Sequence, residues 1–244
     1  MRYIVMHKLD PDLEAGGPPD QDIIQNMGAL VQESIRSGIF KNGAGLHPSA
    51  LRARVNCTAG ECTVTRGPYQ GNNELVAALA MVKAKSIEVV IEHVQKLARS
   101  LGDCEIEIGP VVEPWDLGLM PKPEGELPQN FLLLSKAAAD DEASTGNRKK
   151  HEAAFQRLAA SLAKDGAFVT GETLAPSARG SRLPAASKAK RVWVDGPFAE
   201  SKELISGFSL LELPTRAEAL AWADRYAAIL GSETEVDVRE VHTG

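Results

Sequence analysis

Apolar residues recur along the chain with two spacings, one typical of strands and the other typical of helices. Short apolar runs at residues 3–7 and 131–136 predict a β-strand at the start of each half of the sequence. Each run is followed by apolar residues at intervals of three and four, around residues 23–35 and 154–162, which predict an amphipathic helix. The two halves of the sequence therefore begin with the same two elements.

The same order of elements continues to the end of each half. Two strands around a turn come next, and a second amphipathic helix follows them. A further apolar segment in each half, at residues 77–82 and 208–213, extends or replaces one of the middle strands. The closing segments at residues 105–108 and 235–239 alternate with a period of two, which predicts one buried face and one solvent-exposed face. Each half thus predicts the order βαββαβ.

Short motifs recur in register between the two halves. Residues 38–49 and 166–177 share Gly, Phe, Gly, Leu, Pro and Ser at matching positions. Further along, a Gly-Pro-aromatic sequence at residues 67–69 recurs at residues 196–198. Chance similarity does not keep register over such a length, so the pattern indicates an internal duplication.

The duplication predicts the domain organisation and the fold class. Residues 1–114 form a first, diverged repeat, residues 115–129 form a Pro- and Gly-rich linker, and residues 130–244 form the second repeat. Two helices on one antiparallel sheet are typical of the ferredoxin-like plan, which leaves the other sheet face uncovered. We therefore expect an α+β protein of two ferredoxin-like βαββαβ repeats, packed sheet to sheet.

Composition and charge limit the classes of partner. The chain of 244 residues is 43% hydrophobic and 25% charged, as in folded globular proteins. Its formal net charge of −6 gives no overall basic field, which argues against nucleic acid as a partner. The N-terminus lacks the apolar run of a signal peptide, and no stretch approaches the roughly 20 apolar residues of a membrane span. We expect a cytoplasmic protein that binds neither nucleic acid nor membrane.

Cysteine and histidine spacings do not predict a metal site or a cofactor. Cys57, Cys62 and Cys104 have no fourth ligand at a suitable spacing, and the five histidines form no metal-binding pattern. A bridge between Cys57 and Cys62 across a hairpin is geometrically possible, but a reducing cytoplasm disfavours it, so we expect reduced thiols. The sequence also lacks GxGxxG, Walker, GxSxG and HExxH motifs, which argues against the commonest nucleotide-binding, hydrolase and zinc-protease classes.

The second half carries a recognisable signature. Asp-Gly-Pro-Phe at residues 195–198, with Gly-Phe at residues 207–208, resembles the signature of the YCII-related family in its DGPF branch. Residues 171–176 resemble a second element of that branch, and the resemblance covers residues 131–241. It implies the dimeric α/β-barrel superfamily, in which two ferredoxin-like units join sheet to sheet. One chain would then supply both units. The protein would be either a monomer, in which a pseudo-twofold axis relates the two units as in a dimer, or a homo-oligomer.

The resemblance leaves several functions open. Some members of the superfamily handle protons with a His and an Asp near the sheet cavity, but Phe155 and Met27 occupy the position of that His here. The first possibility is a small-molecule acid–base enzyme, isomerase- or lyase-like, with a cavity near the DGPF loop. The alternative is a non-catalytic ligand-binding or regulatory module, linked to sigma-factor-dependent transcription as some members of the branch are. A purely structural or self-associating protein is the third.

Three residues are candidates for proton transfer. Asp195 ends a strand just before the Gly-Pro turn, and since Arg66 stands there in the first half, the turn does not require the carboxylate. His7, at the end of the first strand, belongs to the residue type that titrates near neutral pH. Glu172 precedes the same motif and would assist. The structural alternatives are turn chemistry for Asp195 and a hydrogen-bonded core position for His7.

Charged and aromatic residues around the two turns are candidates for ligand binding. Paired carboxylates near a lysine can acquire separate acid and base roles. In the first half, Arg66 and Glu74 either form an ion pair or bind an anionic ligand. The candidate ligand-binding residues are Arg66, Glu74, Phe198, Glu200, Lys202 and Glu203.

Overall fold

The computed structural model describes an α+β protein with two antiparallel sheets, as expected. The described residues are 1–8, 11–17, 20–72, 74–137, 145–164, 166–186, 190–198, 201 and 204–242. Their strands are β1 (Arg2–Lys8), β2 (Phe40–Gly45), β3 (Ala53–Thr58), β4 (Glu61–Arg66), β5 (Val76–Ala84), β6 (Cys104–Pro110), β7 (Gln129–Lys136), β8 (Phe168–Thr173), β9 (Ser181–Leu183), β10 (Val194–Asp195), β11 (Ile205–Glu212) and β12 (Val236–Glu240). Their α-helices are α1 (Pro11–Glu14), α2 (Gln21–Arg36), α3 (Ile87–Leu101), α4 (Thr145–Lys164) and α5 (Arg216–Leu230). None of these helices is long and apolar enough to cross a membrane.

The chain divides into two compact units, each built on one six-stranded sheet. The central unit comprises Leu46–Leu174 with Ser201, and the terminal unit comprises the other described residues. The central sheet has the strand order β4-β3-β6-β7-β5-β8. The terminal sheet has the order β10-β9-β12-β1-β11-β2. These two orders match, with β3 in the place of β9, β6 in the place of β12 and β7 in the place of β1.

Each sheet takes strands from both halves of the sequence. β1 pairs with β11 and β12 of the second half, whereas β7 pairs with β5 and β6 of the first half. The boundaries predicted at residues 114 and 130 therefore do not coincide with the boundaries of the compact units. The physical reason is that β1 and β7 have similar patterns of buried residues, so the sequence pattern does not show which sheet each strand joins. A local pattern specifies a strand but not its partner.

In the terminal unit, α2 and α5 cover one face of the sheet. Asp20 caps α2, and Thr215 and Glu218 form a reciprocal capping box at the start of α5. Alternation along β1 directs Tyr3 and Val5 to this face. The core of this layer includes Tyr3, Val5, Leu30, Leu211, Ala219, Trp222, Ala223, Tyr226, Ala227 and Val238.

In the central unit, α3 and α4 cover the equivalent face. The apolar spacing that predicts these helices places Val90, Val94 and Leu158 against the sheet. Residues of β3, β6 and β7 complete the layer by alternation. The core includes Ala53, Val55, Ala80, Val82, Val90, Val94, Ala98, Ile106, Ile108, Phe131, Leu133, Leu158 and Leu162.

Cys57 and Cys62 form a disulfide bond, so the expectation of reduced thiols is wrong for this pair. The register of the β3–β4 hairpin places the two residues directly opposite each other. Their Cα atoms are 4.1 Å apart. The hairpin geometry, which the sequence indicated as possible, thus determines the pairing.

The Gly-Pro-aromatic turn has the same construction in both units. Ser49 Oγ accepts the N–H of Tyr69 at 3.2 Å, and Ser177 Oγ accepts the N–H of Phe198 at 3.0 Å. The glycine of each turn packs against the backbone oxygen of the same serine, where a Cβ would overlap that oxygen. Close approach of two backbone segments therefore explains why glycine recurs in the motif.

Replacement of Gly196 with alanine is expected to lower the free energy of unfolding by about 2 kcal/mol or more, because the added methyl group would overlap the Ser177 backbone. Gly28→Ala is the matched control, since a Cβ there meets nothing within 4 Å in the middle of α2. Alanine at position 28 is expected to stabilise the protein by about 0.5–1 kcal/mol. Urea denaturation followed by circular dichroism measures both variants, and equal effects would contradict the packing argument.

Candidate functional site

A group of charged residues is buried on the central sheet, on the face opposite to the helices. We call Arg52, Arg54, Glu74, Glu107 and Lys136 the central charge cluster. Arg54 on β3 lies directly opposite Glu107 on β6, and their Nη2 and Oε2 atoms are 2.9 Å apart. Arg54 also reaches Glu74 Oε1 at 2.6 Å, and Lys136 Nζ lies 3.4 Å from Glu107 Oε2. Arg52 Nη1 donates a hydrogen bond to Glu107 Oε1 at 2.9 Å, and Lys136 also forms an ion pair with Glu74.

The terminal sheet carries an equivalent group, the terminal charge cluster of Lys8, Arg182, Glu235 and Asp237. Arg182 on β9 binds Asp237 on β12 with two parallel hydrogen bonds, of 2.7 Å from Nε and 2.9 Å from Nη2. Lys8 Nζ lies 3.2 Å from Asp237 Oδ2, and Glu235 lies 3.2 Å from Arg182. An arginine, a carboxylate and a lysine thus occupy matching places on matching strands of both sheets.

An aromatic ring from the Gly-Pro turn covers the arginine of each cluster. The guanidinium carbon of Arg54 lies 4.0 Å from the ring centre of Tyr69. That of Arg182 lies 4.5 Å from the ring centre of Phe198. Both distances are within the range of a cation–π interaction. The aromatic residue of the motif therefore packs on a buried cation in each unit.

Glu107 and Asp237, one carboxylate of each cluster, are held in the ionised form. Burial alone would raise the pKa of Glu107, but Lys136, Arg52 and Arg54 together lower it to about 2. Burial likewise opposes ionisation of Asp237, yet the charges and hydrogen bonds of Lys8 and Arg182 lower its pKa. A general base works best when its pKa lies near the operating pH, so a buried carboxylate with a lowered pKa is a weak proton acceptor at neutral pH. Glu107 and Asp237 therefore act mainly as fixed charges.

Glu107→Gln is expected to cost about 3–5 kcal/mol of folding free energy, because it removes one partner of a buried ion group. Glu88→Gln is the matched control, since its ion pair with Arg66 is solvent-exposed and should contribute little to the free energy of unfolding. Urea denaturation at pH 7 measures the difference between the two variants.

The contribution of Glu107 to the free energy of unfolding should decrease at low pH, because its pKa is lowered in the folded protein. The folded-state pKa is about 2, below the value of about 4.3 expected in the unfolded chain. The stabilisation is therefore fully present above about pH 4.3 and is lost as the pH falls towards 2. The stability gap between wild type and Glu107→Gln should shrink between pH 5 and pH 2.5. A gap that does not change would contradict the assignment.

Asp195, the leading candidate for proton transfer, lies on the other face of the terminal sheet. Its neighbour Val194 pairs with Arg182, so alternation directs Asp195 away from the terminal charge cluster. Its side chain is 68% exposed and pairs with Arg216 at the start of α5. Ser181 Oγ also donates to the carboxylate at 3.1 Å. The position is that of a surface ion pair.

Arg66 occupies the place of Asp195 in the central unit, with the charges reversed. It pairs with Glu88 near the start of α3 at 2.9 Å. The exchange of Asp for Arg between the two turns therefore preserves an ion pair between strand end and helix start. The exchange by itself is therefore no evidence for a functional carboxylate at Asp195. The alternative of an ion pair between Arg66 and Glu74 is wrong, because Glu74 belongs to the central charge cluster.

His7 lies on the helix-covered face of the terminal sheet, where it meets an aromatic pair from α5. Its Nδ1 is 2.6 Å from the hydroxyl oxygen of Tyr226. Tyr226 stacks on Trp222, with ring centres 5.2 Å apart, and the Trp222 indole N–H donates to Ser34 Oγ at 2.9 Å. Burial raises the pKa of Tyr226, so the phenol stays protonated. Gly207 leaves room for the imidazole, since a Cβ there would clash with His7 Cε1.

Glu172 lies on β8 at the edge of the central sheet. One row of directly opposed residues runs across the sheet from Glu172 on β8 to Glu107 on β6. Between them lie Leu79 on β5 and Leu134 on β7. Three strand spacings place Glu172 roughly 14 Å from Glu107. Its equivalent in the terminal sheet is Ala44, which pairs with Phe208.

The structure does not bring the three candidates for proton transfer into one centre. Asp195 and His7 share a sheet face of the terminal unit, but three strand spacings and two residues separate them by roughly 16 Å. Glu172 belongs to the central unit. Among the candidate ligand-binding residues, Glu74 is a member of the central charge cluster and Phe198 contacts Arg182 of the terminal charge cluster. Glu200, Lys202 and Glu203 lie outside the described residues.

Eight residues of the two clusters, all except Glu74, were not among the sequence-based candidates. These are Lys8, Arg52, Arg54, Glu107, Lys136, Arg182, Glu235 and Asp237. A signal for most of them exists, because arginine, acidic residue and lysine recur in register in the two halves. The prediction that the polar face of the closing strands meets solvent is wrong for Glu107 and Asp237, which are buried. Alternation identifies the polar face but not whether another layer covers it.

Comparison with known proteins agrees with the signature in the second half. Residues 130–242 match the family model of the YCII-related domain, which supports assigning this part of the chain to that family. No curated protein and no solved structure matches the chain. Among the described residues, no group of three or more His, Cys, Asp or Glu side chains is arranged to hold a metal ion.

Proposed function

We propose that the protein is a small-molecule enzyme that transfers protons through His7, with Tyr226 as the residue that positions and assists the imidazole. The observation that carries the proposal is the 2.6 Å contact between His7 Nδ1 and the Tyr226 hydroxyl. Of the three residues predicted for proton transfer, His7 is the one whose side chain contacts a buried, neutral phenol, that of Tyr226. Asp195 is committed to a surface ion pair, and Glu172 lies in the other unit.

A comparison of equivalent positions supports a specialised role for the terminal unit. The charge clusters and the Gly-Pro turns occur in both units, which is expected of features that maintain the fold. The polar group around His7 occurs in one. Ser135 and Leu97 take the places of His7 and Tyr226 in the central unit, where they line a small apolar void with Phe155. The two units therefore differ at the position where a proton carrier is proposed.

The contact with Tyr226 defines how the imidazole would exchange protons. When Nδ1–H donates to the phenol oxygen, the Nε2 lone pair can accept a proton from a substrate, and the imidazolium then returns it. When the phenol donates to Nδ1, Nε2 carries the proton instead. Tyr226 stays neutral through both states because burial raises its pKa. This arrangement suits abstraction and return of a proton beside a carbonyl or carboxylate, as in isomerisation or elimination.

The test is proton exchange on candidate substrates in D2O. A panel of small carboxylated, cyclic and aromatic compounds is first screened for ligands that raise the melting temperature. Nuclear magnetic resonance then follows deuterium uptake at carbon in each ligand. His7→Gln is expected to keep binding and to lose about 10²–10⁴-fold of the exchange rate, the usual contribution of a general acid–base group. Tyr226→Phe is expected to reduce the rate by a smaller factor.

Ser135→Ala is the matched control, since Ser135 has the place of His7 in the central unit. It should leave exchange unchanged. A ligand that wild type binds without catalysing exchange would contradict the proposal, and so would equal exchange by wild type and His7→Gln. Asp195→Asn is expected to exchange at the wild-type rate. A large loss in that variant would return the role to Asp195.

A non-catalytic ligand-binding module is the second candidate, and one observation favours it. Within the central unit, a cleft of about 470 Å³ is lined by Trp115, Leu127, Pro123, Lys85 and Lys122. Its volume falls within the range of about 300–1,000 Å³ that is usual for ligand sites. The aromatic face of Trp115 suits a flat ligand, and the two lysines, which outnumber the one lining carboxylate, Glu126, favour an anionic one. Loss of the thermal shift in Trp115→Ala, with no loss in His7→Gln, would favour this function.

We infer further that the chain arose by tandem duplication and is a member of the dimeric α/β-barrel superfamily. The matching strand orders, turns and charge clusters of the two units support this inference. The packing of the two sheets on each other, the assembly state, the cytoplasmic location and any link to transcription stay predictions from the sequence.

A further inference from the structure

Three cysteines form a row across neighbouring strands of the central sheet. Cys57 on β3 lies directly opposite Cys62 on β4 and, on its other side, directly opposite Cys104 on β6. Directly opposed residues share a sheet face, and all three pack on the core beneath α3 and α4. Cys57 and Cys62 form the disulfide, and Cys104 is a free thiol.

The spacing within the row allows two disulfides and excludes a third. The Cα atoms of Cys57 and Cys62 are 4.1 Å apart, as in an antiparallel pair without mutual backbone hydrogen bonds. Cys57 must then form the hydrogen-bonded type of pair with Cys104, with Cα atoms about 5.5 Å apart. That separation is among the commonest for disulfides. Cys62 and Cys104 are two strands apart, roughly 9.5 Å, which is too far for a bond.

We propose that this row is a thiol–disulfide exchange site, in which the bond moves between Cys57–Cys62 and Cys57–Cys104. The Cys104 thiolate attacks the Cys57 sulfur, and the Cys57–Cys104 bond forms as the Cys57–Cys62 bond breaks. Cys62 leaves as a thiolate and takes up the proton that Cys104 released. One disulfide and one thiol exist before and after the step, so no oxidant or reductant is consumed.

The order of the strands favours this step. The attacked sulfur of Cys57 belongs to the middle strand, so the attacking and leaving sulfurs come from opposite sides of it, as displacement at a disulfide requires. The exchange would move the cross-link from the β3–β4 hairpin at the sheet edge to the β3–β6 pair. β4 leads into the turn that carries Tyr69 onto Arg54. The position of the disulfide therefore determines whether the strand that leads into this turn is cross-linked to β3.

The surroundings of Cys104 set the rate of the exchange. Its thiol donates to the carbonyl oxygen of Ala98 on α3, with the two atoms 3.9 Å apart. Burial, and then the negative charge of Asp103, raise the pKa of this thiol to about 11. Asp103 itself accepts the N–H of Ala59 at 2.8 Å. Little thiolate is present at neutral pH, so the bond moves slowly there and faster in alkaline solution.

The experiment maps the free thiol in the whole protein. Samples held at pH 7 and at pH 9 are quenched in acid, alkylated and digested at glutamate, which separates Cys57 from Cys62 at Glu61. Mass spectrometry is expected to find label on Cys62 as well as on Cys104. The ratio should reach its constant value about a hundredfold faster at pH 9, since the thiolate fraction rises tenfold per pH unit below the thiol's pKa. Label that stays on Cys104 alone after prolonged incubation at pH 9 would overturn the proposal.

Two matched variants test the geometry separately. With oxidised glutathione, Cys62→Ser is expected to form the Cys57–Cys104 bond, because that pair is adjacent. Cys57→Ser is expected to form no intramolecular bond, because Cys62 and Cys104 are two strands apart. Circular dichroism shows whether both variants are folded. The proposed spacing of the three cysteines would be contradicted by a Cys62→Ser protein that forms no Cys57–Cys104 bond. A Cys57→Ser protein that joins Cys62 to Cys104 would also contradict it.

Discussion

The buried contact of one carboxylate with an arginine and a lysine on neighbouring strands is the constraint on which both sheets depend. Glu107 on β6 binds Arg54 from β3 on one side and Lys136 from β7 on the other. Asp237 on β12 binds Arg182 from β9 and Lys8 from β1 in the same way. A buried charge without its partners costs several kcal/mol, so these contacts penalise other strand orders and registers.

The same contacts make the two halves of the sequence depend on each other. Each half supplies the arginine and the carboxylate of one cluster and the lysine of the other. The first half provides Arg54 and Glu107 but needs Lys136, and the second half provides Arg182 and Asp237 but needs Lys8. The exchange of β1 and β7 between the sheets is therefore part of how the buried charges are neutralised.

The sequence was a good guide to the elements and a poor guide to their partners. Apolar spacing predicted β1, β7, the helices on each sheet and the closing strands, because these patterns depend on local burial. It could not predict that β1 pairs with the second half, since β1 and β7 carry similar patterns. It also missed the burial of Glu107 and Asp237, because alternation does not show what covers the polar face. The role suggested for Asp195 rested on its exchange with Arg66, which the reversed ion pairs explain.

The two kinds of polar residue thus have different tasks. Glu107 and Asp237 maintain the sheets as ionised carboxylates, whereas His7 with Tyr226 is the pair that we propose for proton exchange. A titration of the side-chain carboxyl carbons by nuclear magnetic resonance tests this division most directly. Glu107 should remain ionised from pH 9 down to pH 4, because the adjacent cations lower its pKa to about 2. Asp237 should take up its proton at a lower pH than an ordinary aspartate, since Lys8 and Arg182 lower its pKa. Uptake of a proton by Glu107 above pH 4, or titration of Asp237 above the ordinary range of an aspartate, would contradict the account.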